Sequence, residues 1–158
     1  MHQYRFGLLP RSPLIEKYTT LPARVVTEDF AVAWLQQPTC DVIRLIDGFA
    51  PRYRSWSEDI LMWGTGNNGN RIHVVFEDTK IAEVSCRIAV PQEHESFAVG
   101  VISLAKRCDW LLVLTHDVLA EPDVDKLLTA VRESNAAKFA VNPVEFFEGL
   151  STDTYQPE

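Results

Sequence analysis

The chain has 158 residues, 46% hydrophobic and 23% charged, which suits one hydrophobic core of ordinary size and excludes an intrinsically disordered chain. Its formal net charge of −7 repels phosphate backbones wherever no local basic patch overrides it, so the charge disfavours nucleic acid as a partner and suits a basic protein better. No apolar run approaches the roughly 20 residues of a membrane-spanning helix, the longest being strand-length stretches such as Trp110 to Leu114, and no membrane role is expected.

The N-terminus, Met1 to Arg11, lacks the apolar stretch and small-residue cleavage site of a secretion signal, which predicts a cytoplasmic location. The three cysteines, Cys40, Cys86 and Cys108, form no C-x-x-C pair and are too far apart for a zinc knuckle. Cys86 and Cys108 fall among apolar residues, so buried, reduced thiols are expected, with no metal and no cofactor. No repeat, low-complexity tract or linker divides the chain, which predicts a single domain over 1–150 and a frayed polar tail over 151–158.

In chain order, Pro10, Pro13 and Pro22 break up the first 26 residues, leaving only short strand-like pieces, Tyr4 to Leu9 and Arg24 to Val26, in otherwise irregular structure. A short helix follows from Thr27 as cap, with Glu28 and Asp29 in its first turn and Pro38 beyond its end. Thr39 caps a second helix, on which Val42, Leu45, Ile46 and Phe49 form one apolar stripe; Gly48 and Pro51 stop it.

The period then changes. Asp59 to Gly64 has strand length, Ile72, Val74 and Phe76 alternate with polar neighbours over Arg71 to Glu77, and Ala82, Val84, Cys86, Ile88 and Val90 share one face of the next run. Three strands with short connections predict an antiparallel meander over about 59–90. A helical stripe from about Glu95 to Arg107 leads to the run 110–115, whose lack of polar alternation predicts a strand covered on both faces. Pro122 and the surrounding acids open another helix carrying Val124, Leu127, Leu128 and Val131, and Asn142, Pro143 and Glu145 open a last one that Gly149 stops. The predicted fold is α+β, a mixed sheet packed by N-terminal and C-terminal helices.

Three candidate sites stand out. Gly64 to Gly69 matches G-x-G-x-x-G, but the residues that follow alternate as a strand and offer no helix N-terminus for a pyrophosphate, so a hairpin loop is expected. His116 and Asp117 follow the buried strand, where they and His73 could contribute to an enzyme or small-ligand site near the strand ends and the 64–70 loop. Local spacing gives no metal-binding pair there. Arg52, Tyr53, Arg54 and Trp56 join two arginines and two aromatics, residue types enriched at protein interfaces and on nucleic-acid stacking surfaces. A purely structural role would have Trp56 anchor its loop and the arginines pair with Glu58 and Asp59. With G-x-S-x-G missing, the leading expectation is a non-catalytic interaction module of regulatory or immunity type, and the alternative is the enzyme or ligand binder around His116.

Overall fold

The computed structural model describes residues 3–65, 69–90, 93–134 and 136. Its elements run β1 (Gln3–Pro10), α1 (Ser12–Tyr18), α2 (Thr27–Ala33), α3 (Val42–Asp47), β2 (Arg52–Tyr53), β3 (Ile60–Gly64), β4 (Arg71–Glu77), β5 (Lys80–Ala89), α4 (Glu95–Cys108), β6 (Trp110–Leu114), β7 (Val118–Ala120) and α5 (Val124–Glu133). The fold is α+β, built on one seven-stranded sheet in the order β2-β3-β4-β5-β1-β6-β7. The last predicted helix, the 151–158 tail and residues 66–68 lie outside the described residues.

The meander is present as predicted, with β4 spanning Arg71–Glu77 and β5 pairing antiparallel to it. Two expectations are corrected. The sheet is antiparallel in every described pairing rather than mixed, because the N-terminal strand occupies the slot between β5 and β6. Those two strands run the same way, joined by the α4 crossover, and β1 lies between them antiparallel to both. The N-terminal segment is correspondingly regular. Pro10 sits at the end of β1, and Pro13 occupies the first turn of α1, where no backbone N–H is needed.

The caps also shift by a residue or two from those expected. Val26 rather than Thr27 precedes α2, its N–H donating to the Asp29 carboxylate at 2.9 Å, and Asp41 rather than Thr39 caps α3 by accepting from the Arg44 N–H at 3.2 Å. Asp29 is fully buried, a costly position for a carboxylate. It is held ionised by Lys17, the Tyr18 hydroxyl and the Val26 N–H; although burial alone would push its pKa up, these donors together bring it below the usual value.

Strand register sorts the side chains into two faces. On one, Trp63, Ile72, Cys86 and Phe6 lie side by side across four strands, with Leu61, Val74, Val84, Leu8 and Leu112 in the next row. This face carries α3 and α4. Asp47 of α3 accepts from the Trp63 indole N–H at 2.7 Å, and α4 packs on β6, α3 and α5. Gly100 of α4 lies against the Phe49 ring, where an added Cβ would come within 2.4 Å of a ring carbon, so only glycine permits this approach.

The segment after α2 rounds one end of the sheet. Trp34 meets Trp110 edge to face at 5.2 Å between centroids, and the Gln37 amide both donates to the Ile81 carbonyl and accepts from its N–H. The chain thereby passes to the helix-covered face, where α3 begins. Among the described residues the opposite face carries α2 at one end and a groove over parts of β4 and β5.

Candidate functional site

On that opposite face the register places Arg5 directly across from Arg87, and Arg87 directly across from Arg71. Three guanidinium side chains thus form a row over β1, β5 and β4. Residues directly opposite in an antiparallel pair hold their Cβ atoms about 5 Å apart, and like charges at such positions destabilise a sheet. The next row reads Gly7, Ser85 and His73, continuing to Met62 and Tyr53.

A groove of about 460 Å³ lies over the arginine row and over Gly7, Ser85 and His73 of the next, short of Met62 and Tyr53. Its floor is the arginine row with Gly7, Ser85 and His73; Phe30 and Trp34 form an apolar wall, and Thr115 to Asp117 form the rim. Gly7 keeps the floor low between its cross-strand neighbours Ser85 and Val113. The rim is the hairpin connection between β6 and β7, in which His116 and Asp117 both adopt positive φ, 62° and 61°. Neither is glycine, so the connection carries backbone strain where it borders the groove.

Arg71 is buried, while Arg87 and His73 are half-buried and Arg5 is exposed. Burial first, then the neighbouring Arg71 and Arg5, lowers the Arg87 pKa from its usual value. Burial likewise lowers His73, to about 4, with Arg71 and Arg87 adding to the effect. His73 is therefore neutral at pH 7. Among the described residues its Nε2 and the Tyr53 hydroxyl are buried with no hydrogen-bond partner. Two unsatisfied polar atoms on one face of a sheet are uncommon in a folded protein and call for a partner. Among the described residues no carboxylate forms an ion pair with Arg5 or Arg87. The carboxylates lining the groove, Glu83 and Asp117, are both exposed.

The residues singled out in the sequence distribute unevenly. His73, His116 and Asp117 all line this groove. β3 and β4, on either side of the 64–70 stretch, pair antiparallel, with Gly64 opposite Arg71 and a φ of 135° that a Cβ would not tolerate, the Asn70 carbonyl lying 2.0 Å from its position. Arg52, Tyr53, Arg54 and Trp56 do not act as one patch. Arg52 pairs with Asp47 at 2.9 Å and lies over the Trp63 ring, while Tyr53 belongs to the groove's face. Arg54 and Trp56 point outward, Trp56 being 78% exposed, so it does not anchor its loop, and the partner of Arg52 is Asp47 rather than Glu58 or Asp59. Sequence reasoning passed over Arg5, Arg71 and Arg87. Each occupies a polar position of an alternating strand, and only the register brings the three together. Among the described residues no group of three His, Cys, Asp or Glu side chains lies close enough to hold a metal ion.

The low His73 pKa predicts a pH-dependent stability. Unfolded, His73 takes up a proton near pH 6.5; folded, it refuses one until about pH 4. Stability therefore falls as pH drops through that window and levels off below it. Allowing for its partial exposure, the loss is about 1–2 kcal/mol. Urea unfolding at pH 7 and pH 4.5 should show that extra loss in the native chain and not in His73→Gln; equal losses in both proteins would contradict the assignment.

Compared with protein-family models, with curated proteins and with solved structures, the chain matches none.

Proposed function

We propose that the protein is a non-catalytic binder of a small anionic ligand, with the groove over β1, β5 and β4 as its site. The observation that carries this reading is the row Arg5–Arg87–Arg71 on the groove floor. Three adjacent guanidinium groups repel one another and weaken the sheet that holds them, a cost offset when an anion lies among them. A carboxylate, phosphate or sulfate group would take charge-assisted hydrogen bonds from the forked guanidinium donors. His73 on the groove floor supplies a further polar contact, and Phe30 and Trp34 suit an apolar portion of the same ligand. The overall negative charge does not oppose this, because a local field in a partly enclosed groove outweighs distant screened charges.

The test uses sulfate, inorganic phosphate and pyrophosphate as probes at constant ionic strength set with chloride. Binding to the folded state raises the melting temperature with the logarithm of probe concentration. A Cβ on Gly7 meets only ordinary contacts, the Val84 carbonyl at 3.7 Å and Val113 Cβ at 3.8 Å, so Gly7→Leu should fold and fill the groove. The expected result is a rise in the native protein that Gly7→Leu abolishes. No rise, or the same rise in both proteins, would discard the reading.

A second reading, a protein interface at Arg54 and Trp56, is favoured by the 78% exposure of Trp56. A large exposed aromatic beside an arginine is a typical binding hot spot. A stoichiometric partner captured from native lysate by the native chain and lost with Trp56→Ala would support it; capture unaffected by that change would not.

A further inference from the structure

Cys40 and Cys108 are separated by 68 positions in sequence, yet their sulfurs lie 2.8 Å apart. Cys40 belongs to the segment that rounds the end of the sheet between α2 and α3, and Cys108 closes α4. Both are half-buried, whereas Cys86 is fully buried within the sheet. The sulfur separation is well inside an ordinary non-bonded contact and needs only a small closure to reach the roughly 2.05 Å of a covalent S–S bond. The two backbones already hold these side chains together: Gln37 clamps the first segment to Ile81, and Trp34 lies against Trp110, two residues beyond Cys108.

We infer that Cys40 and Cys108 are a disulfide site, oxidised by a low-molecular-weight disulfide such as oxidised glutathione, that covalently fastens the Trp34–Cys40 segment to the end of α4. One protein thiolate attacks the added disulfide, forming a mixed disulfide and releasing one glutathione thiolate. The second protein thiolate attacks the protein sulfur of that mixed disulfide, forming the Cys40–Cys108 bond and releasing the other glutathione thiolate. Two electrons pass from the protein thiols to glutathione, and the two thiol protons go to the leaving thiolates. Cys86, enclosed by the sheet, takes no part.

The bond closes a long loop and removes much of the freedom of the unfolded chain, so it raises the melting temperature. It also fixes the segment that carries Trp34, one wall of the groove. Burial, with the Cys40 contact, pushes the Cys108 thiol up. Exchange is consequently slow at neutral pH and is best measured at about pH 8, where more thiolate is present.

The experiment incubates the folded chain with excess oxidised glutathione, quenches with acid and alkylates the remaining thiols under denaturing conditions. The expected product has lost two hydrogens, takes one alkyl group at Cys86, and yields a cross-linked peptide pair containing Cys40 and Cys108. Its melting temperature is about 5 °C or more above that of the reduced protein, and dithiothreitol reverses the shift. Cys40→Ser and Cys108→Ser, assayed under the same conditions, show no such shift. Three alkylatable thiols after incubation, a stable glutathione adduct in place of the internal bond, a bond involving Cys86, or a cross-link with no melting shift would each overturn the inference.

Discussion

Replacing Arg87 with threonine should make the unliganded protein more stable and its anion binding at least tenfold weaker. Arg87 is the centre of the row, directly opposite both Arg5 and Arg71, and its pKa is lowered by burial first and by these two neighbours next. Removing the middle charge relieves both like-charge pairs, and threonine suits a strand position, so a gain of about 0.5–1 kcal/mol is expected. For a chain of this size that is about 2–4 °C in melting temperature. The same substitution removes the donor fork that reaches either neighbour's ligand atoms. A hydrogen bond to a charged group contributes about 1.5–3 kcal/mol, which corresponds to a tenfold to hundredfold loss of affinity for the probe that binds best. Arg87→Lys separates the two effects: it keeps the charge and the repulsion but loses the fork, so it should leave stability near native and still weaken binding. Opposite signs for stability and binding are what a site built against the sheet's own preference produces. A less stable Arg87→Thr with unchanged affinity would show instead that Arg87 is structural.

Trp110→Ala should be the most damaging single change among those considered. Trp110 opens β6, is 1% exposed, and meets the Trp34 ring at 75° between planes. Truncating a buried tryptophan leaves a large cavity and costs about 3–5 kcal/mol, to which the lost aromatic pair adds about 1 kcal/mol. Against the 5–15 kcal/mol typical of a whole domain, this leaves a small margin of stability. Urea unfolding should show a large drop in midpoint with little change in slope. Because Trp34 also lines the groove, the same variant should lose anion binding at temperatures where it is still folded. A loss below about 1.5 kcal/mol, at the low end of the mutational range, would mean that the end of the sheet repacks readily around the gap.

The legible parts of the fold were those whose side chains repeat. β4 and β5 alternate cleanly, α4 and α5 present apolar stripes, and β6 reads as a run with no polar break because both of its faces are covered; each was visible in the sequence at close to its observed bounds. The regularity of the N-terminal region is masked by its prolines, which interrupt most elements, whereas Pro10 and Pro13 lie at element ends that tolerate them. β2 and β7, with 2 and 3 residues, are too short to show any period. The antiparallel sheet was hidden for a different reason: nothing local in Gln3 to Pro10 says that its partners are β5 and β6.

The candidate site was only partly legible. His73, His116 and Asp117 were visible as polar residues on or beside strands, and they line the groove. The arginine row was not visible, since Arg5, Arg71 and Arg87 are far apart in sequence and their alignment depends on the register of three strands. A polar residue on the solvent side of an alternating strand carries no sign of its cross-strand neighbours until the pairing is known.

The position of β1 sets an order of assembly. Made before both of its neighbours, it has no partner in this sheet until β5 has been made for one edge and β6 for the other, roughly the span from Tyr4 to Ile88 and from Leu8 to Leu112. The contacts that complete the middle of the sheet are therefore among its most distant in sequence, which favours slow folding. Until they form, an apolar strand carrying Tyr4, Phe6, Leu8 and Leu9 has both edges unpaired, and the growing chain is exposed to the mispairing that such edges invite.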